Sequence, residues 1–156
     1  MPSVIKGQDL LLDTDVLSLT SPRSRLTGAA VDAWRGFVRE NVELLHFSVV
    51  TLMEVRFGIE RLRRKDATRQ AADLAKWLLV AETVHAGRLV PVSASIARRA
   101  GQMLARAESA GVKPSAEDAM IAASAAELDM HLVSRNRKHM NALGIDCIDP
   151  LESLPV

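Results

Sequence analysis

The stretch Leu10-Leu11-Leu12-Asp13-Thr14-Asp15 constrains this chain more than any other. Three consecutive leucines suit a strand buried on both faces, and the run is too short to be read as a helix. It ends in a carboxylate, which cannot stay ionised in an apolar interior without a cation or hydrogen-bond donors. The carboxyl end of a parallel strand is where open α/β folds place their ligands. If the strand continued through both acids, Asp13 and Asp15 would face the same way, because strand side chains alternate. Such a pair attracts a divalent metal. The alternative is that Asp13 or Asp15 only caps the next helix.

At 156 residues the chain is long enough for one domain with a sizeable core and too short for two ordinary ones. We therefore expect a single domain over 1–156. A net charge of +1 means that affinity for nucleic acid must come from local basic clusters. The one cysteine, Cys147, excludes an internal disulfide and a thiolate zinc cage, and suits a reducing cytoplasm. Met1 to Gln8 carries no apolar core with a cleavage site, so no secretory signal is expected. No apolar stretch approaches the ~18 residues that would cross a membrane. With three Phe, two Trp and no Tyr, a base-stacking platform for single strands is disfavoured.

Short apolar strands alternate with longer helical patterns. After the first strand, Ser21 to Ser24 reads as a loop, and a helix follows from about Thr27 to Glu40 with Val31, Trp34 and Val38 on one face. Leu44 to Phe47 is the second strand. Ser48 then caps a helix that carries Val49, Leu52, Met53 and Phe57 inward and ends in the charged run Arg61 to Asp66. Another helix runs from about Thr68 to Ala86, and Leu89 to Val92 is a third strand, placed at a sheet edge by Pro91. Further helices are expected over Ser95–Ala110 and from Pro114 to about Asp129. Leu132 to Ser134 forms a fourth strand, Asn136 to Leu143 a short helix, and Ile145 to Ile148 a fifth strand. This rhythm predicts a three-layer α/β/α domain around a central, mainly parallel five-stranded sheet.

Two further acids stand at strand-to-helix junctions. Glu54 lies about a turn and a half beyond the second strand, with Val50 and Gly58 four residues to either side, so its face is not a salt-bridged stripe. The competing reading is a helix glutamate that faces water. Asp118 closes Ser115-Ala116-Glu117-Asp118, which has the form of a capping box. The run behind it, Ala119 to Ala126, is almost wholly apolar, so an acid stands at the mouth of a buried helix.

Together these blocks resemble the PIN-domain ribonucleases, especially toxins of the VapC and FitB type. Leu11 to Ser18 is similar to that family's opening block, Ser48 to Gly58 to its second, Asp118 to Ala123 to its third, and Leu132 to Asn136 to its fourth. The resemblance implies a Mg2+- or Mn2+-dependent endoribonuclease in the cytoplasm, the toxin of a type II toxin–antitoxin pair. It implies that Asp13, Glu54 and Asp118 hold the metal, with Ser134 and Asn136 lining a fourth corner. It also implies a homodimer bound by an antitoxin over a groove near Glu54 and the helix from Val55 to Leu62.

The chain departs from the family twice. Asp15 stands where asparagine is usual, and is expected beside the site or as a cap rather than as a ligand. Past Asn136, where the family often carries Asp-Phe, this chain has His139-Met140, so the usual carriers of a fourth carboxylate are missing; His139 could hydrogen-bond phosphate, but a lone histidine on a short helix is expected on the surface. Among the basic residues, Arg135, Arg137 and Lys138 could grip an RNA backbone, while Arg61 to Lys65 reads as a solvated helix end. Two other functions compete: a catalytically weak PIN-like module that binds RNA or a partner, and a haloacid-dehalogenase-like phosphatase with Asp13 as nucleophile.

Overall fold

The computed structural model describes residues 8–155, so the reading of Met1 to Gln8 falls, up to Gly7, outside the described residues. Strand β1 is Leu10–Leu12, followed by helices α1 (Thr14–Ser18) and α2 (Ala29–Glu40). A 3-10 turn at Val42–Leu44 leads into β2 (Leu45–Ser48), then α3 (Val49–Arg64), α4 (Thr68–Val84) and β3 (Leu89–Val90). Helices α5 (Ala94–Ser109) and α6 (Ala116–Glu127) precede β4 (His131–Val133), α7 (Arg137–Leu143) and β5 (Cys147–Ile148).

The sheet order is β3-β2-β1-β4-β5, with every pairing parallel. β3 lies at an edge, as Pro91 required. The three leucines occupy the centre because both faces of β1 are covered. Leu11 packs with residues of α5, α6 and α7 on one face. Leu10 and Leu12 pack with Val16, Leu17, Trp34 and Phe37 of α1 and α2 on the other. Alternation along a strand thus feeds two cores, and three layers result.

Leu12 pairs with Phe47 on one side and Val133 on the other. The next residues, Asp13, Ser48 and Ser134, therefore stand in a row along the carboxyl edge. The strand does not continue through Asp15. It stops at Leu12, and Asp13 becomes the N-cap of α1, its side chain accepting the Thr14 N–H. Among the described residues, no helix is long and apolar enough to cross a membrane.

The inward face of α3 is rotated from the expected one. Val50, Thr51, Val55 and Ile59 are buried, whereas Val49, Met53 and Phe57 are exposed, Phe57 by 59%; Leu52 is half-buried. The cause is α4, which folds back on α3 so that Val55 and Ile59 pack against Ala71 and Leu78. Trimming Ile59 to alanine should cost about 2–5 kcal/mol, and Met53→Ala less than about 0.5 kcal/mol. Urea unfolding reads both, and a silent Ile59→Ala would contradict this packing.

Candidate active site

Asp13 is 5% exposed. Its Oδ1 accepts the Thr14 N–H at 2.8 Å and its Oδ2 accepts the Ser134 hydroxyl at 2.7 Å. The Ser134 oxygen in turn accepts the Asn136 N–H at 3.0 Å. Burial raises the Asp13 carboxyl above the ordinary range; these donors oppose the rise, and the charge of Asp118 adds to it.

Glu54 reaches the same edge from α3. Its Oε1 accepts the Thr14 hydroxyl at 2.7 Å. An ionised carboxylate only accepts, so Thr14 donates to Glu54 and takes its own hydrogen bond from Thr51, 2.9 Å away and fully buried. Burial raises the Glu54 carboxyl, and the charges of Asp13, Asp118 and Glu117 push the same way. The charge of Asp118 thus reaches both Asp13 and Glu54, although the three acids arrive at the N-cap of α1, on α3 and on α6.

Asp118 is the predicted capping box: Ser115 Oγ accepts the Asp118 N–H at 3.0 Å, and Asp118 Oδ2 accepts the Ser115 N–H at 3.4 Å. Capping and site membership coexist in one side chain. Oδ2 also lies 3.4 Å from Asn136 Nδ2 and 3.1 Å from His139 Nδ1. Among the described residues, protein donors leave Asp118 Oδ1 and Glu54 Oε2 free. Among the described residues, no three His, Cys, Asp or Glu side chains lie close enough together to hold a metal ion as they stand.

The neighbours differ in part from expectation. Asp15 lies in the first turn of α1 and its Oδ2 accepts the Arg135 N–H at 3.1 Å, while its buried Oδ1 has no partner. Burial first, and the charge of Asp13 second, push its carboxyl up to about 7. His139, expected on the surface, is held against Asp118. Arg137 turns to Glu152 at 2.9 Å instead of toward the acids, and Arg135 and Lys138 are exposed.

Thr14, Thr51 and Arg23 were not anticipated. A groove of about 340 Å³ opens beside Thr14, Asp15 and Glu54, with Arg23 and Arg25 on its wall. A second, of about 280 Å³, shares Arg23, Gly58 and Leu74 and continues to Arg61 and Lys65. The basic end of α3 is therefore part of a groove and not only a solvated terminus. The threonine after Asp13 was the one sequence signal available for the hydroxyl relay.

Asp15 makes stability depend on pH. Its carboxyl rises from 3.8 to about 7 on folding, so between those values the native state holds a proton that the unfolded chain has released. The associated stability is fully present below about pH 4 and lost as pH rises through about 7. Asp13 and Glu54 shift in the same direction and add to the slope. In chelator-containing buffer the melting temperature should fall across this window, and Asp15→Asn should make the fall shallower. Calorimetric melts check it, and an unchanged slope in Asp15→Asn would contradict it.

Comparison with known proteins supplies the family. The model of the PIN domain matches residues 10–144. The plasmid stability protein StbB of Pseudomonas syringae pathovar tomato is 30% identical over 147 residues, covering 92% of this chain and 99% of that protein. VapC ribonuclease Y4jK of Sinorhizobium fredii is 29% identical over 146 residues, covering 92% and 98% respectively. The crystal structure of FitAcB from Neisseria gonorrhoeae aligns with a TM-score of 0.76 at 25% identity, over 90% of this chain and 97% of that one. With the family match extending from the first strand through α7, the chain belongs to the PIN-domain family.

Proposed function

We propose that this chain is a metal-dependent endoribonuclease, the toxin of a type II toxin–antitoxin pair, acting in the cytoplasm as one domain. The observation that carries this reading is the set of three carboxylates, Asp13, Glu54 and Asp118, at the carboxyl edge of a parallel sheet, where burial and then the charge of Asp118 raise the proton affinity of Asp13 and of Glu54. A cluster of that kind repels itself until a cation or protons neutralise it. Two similar proteins bear the names VapC ribonuclease and plasmid stability protein.

The donors fit an oxygen-preferring cation that keeps several waters and takes substrate phosphate as a further ligand, as Mg2+ or Mn2+ does. Asp13, Glu54 and Asp118 would hold it, with Asp118 Oδ1 and Glu54 Oε2 free of protein donors. The chemistry such an ion would supply is a water that gives up its proton readily enough to attack phosphorus as hydroxide, and neutralisation of charge on the phosphate. The protein's own groups do the positioning. Thr14 N–H and Ser134 fix Asp13, the Thr51–Thr14 relay fixes Glu54, and Asn136 fixes Asp118. Arg23 and Arg25 offer cations to the RNA backbone on one side of the acids, and Arg135 and Lys138 on another. No observation here favours the phosphatase reading.

The partners follow from surface chemistry. Met53 and Phe57 on α3, and Leu79, Val80 and Val84 on α4, are exposed apolar side chains. Apolar area of this kind is covered in a homodimer or by a partner segment, and the antitoxin is proposed to lie over the groove beside Glu54. Light scattering at micromolar concentration should give a dimer; a monomer with and without the antitoxin would count against it.

Asp13→Asn and Asp118→Asn should each abolish magnesium- or manganese-dependent cleavage of RNA. Their melting temperatures in chelator should equal or exceed that of wild type, because each removes a repelling charge. Full activity in either variant would sink the assignment of that residue, and a wild-type protein that cuts no RNA with either metal would sink the function.

A further inference from the structure

Two grooves meet on helix α3. The one that opens beside Thr14, Asp15 and Glu54 and the one that reaches Arg61 and Lys65 share Arg23, Gly58 and Leu74. They therefore form one passage across the helix. Glu54, Gly58, Arg61 and Lys65 follow one another at spacings of four, three and four residues, which puts them along one face. At ~1.5 Å per residue that face runs for about 16 Å, starting at an acid of the candidate site.

Gly58 sits where the two grooves join, in the interior of α3. Glycine weakens a helix interior relative to alanine, and nothing in the fold demands it here. Its backbone is not left-handed, and a Cβ there would meet no atom beyond its own stretch of helix within 4 Å. Alanine would therefore fit and stabilise. A side chain at this position would instead stand in the floor of the passage, so the missing Cβ keeps the way open for something that crosses α3.

The walls indicate what crosses. Arg23 and Arg25 line the first groove, and Arg23, Arg61 and Lys65 line the second. Among the described residues none of these four cations is paired with a carboxylate. Arg61 lies 5.6 Å over the Phe57 ring, a contact that leaves its in-plane N–H donors unused. A row of unpaired cations that begins at a carboxylate cluster suits a polyanion cut at that cluster. Volumes of about 340 and 280 Å³ suit one strand and not a duplex. We propose that, in the protein free of its antitoxin, single-stranded RNA on one side of the cleaved phosphate crosses α3 at Gly58, where Arg61 and Lys65 hold its phosphates. This rests on the nuclease reading, because a strand cut at the acids must leave them along some surface.

Fluorescence anisotropy of the full chain with a single-stranded oligouridylate, in EDTA so that nothing is cut, reads affinity against salt. For single strands each phosphate contact contributes about 0.7 to the steepness of log K against log salt, so Arg61→Ala and Lys65→Ala should each lower it by about 0.7. Gly58→Leu leaves every charge in place. It should nevertheless lower the steepness by about 1.4 and weaken binding roughly tenfold, because the strand no longer reaches either cation. Added to the Arg61→Ala, Lys65→Ala pair, it should do little more. Gly58→Ala should melt at a higher temperature than wild type and yet bind RNA less tightly, which separates the passage from the stability of α3. Wild-type affinity and salt dependence in Gly58→Leu would overturn the proposal and leave the groove to a polypeptide. So would an unchanged salt dependence in both alanine variants, or a wild type that binds no RNA. If Gly58→Leu does not fold, Gly58→Ala decides, and wild-type affinity there would overturn the proposal. A wild type that shows all these effects yet cuts nothing with magnesium or manganese would sink the nuclease reading and leave the RNA track standing.

Discussion

The carboxylate of Asp13, almost wholly removed from water at the end of the central strand, sets the terms for everything near it. A charge in that position needs donors, and the fold supplies them from both directions. The first turn of α1 offers the Thr14 N–H, and the end of β4 offers the Ser134 hydroxyl. Because Ser134 also accepts the Asn136 N–H, the turn into α7 is pinned by the same interaction. The join between β1 and β4 is thus held by ladder hydrogen bonds below and by a buried polar network at its rim. It is also the point where strand order switches from β2 and β3 on one side to β4 and β5 on the other, the position at which open α/β sheets gather ligands.

Once Asp13 is fixed, the other acids are placed relative to it by separate means. Glu54 is aimed by a threonine relay whose inner member, Thr51, is fully buried and cannot wander. Asp118 is aimed by its own helix cap together with Asn136 and His139. Each device costs local freedom and brings like charges toward one another. Burial first, and like charges after it, raise the proton affinities of Asp13, Asp15 and Glu54. Each of these carboxyls therefore takes up a proton more readily in the native state than in the unfolded chain.

The strands and acids were legible because local rules govern them. Leu10 to Leu12 read as a strand buried on both faces, and Leu11 does pack into a different core from Leu10 and Leu12. Ser115 to Asp118 read as a cap, since a cap is settled within four residues. The helix after Ser48 was harder. Val49, Val50, Leu52, Met53, Val55, Phe57 and Ile59 spread apolar side chains around α3, so periodicity could not choose a face. Contact with α4 chose it, burying Val55 and Ile59 and leaving Met53 and Phe57 to solvent.

The sequence by itself determined the alternation of strands and helices, the buried centre of the sheet, and which acids stand at strand-to-helix junctions. Those features follow from side-chain periods of two and 3.6 residues and from turn chemistry within a few residues. Tertiary structure alone decided that Arg137 pairs with Glu152, that Arg61 and Lys65 continue a groove beginning at Glu54, and that His139 leans on Asp118. It also decided that Ser134, 121 positions from Asp13, supplies that carboxyl's donor. The physical reason is that a hydrogen bond has a reach of about 3 Å in space and no fixed reach along the chain. Which partners fall within that distance is settled only when β4 takes its place beside β1.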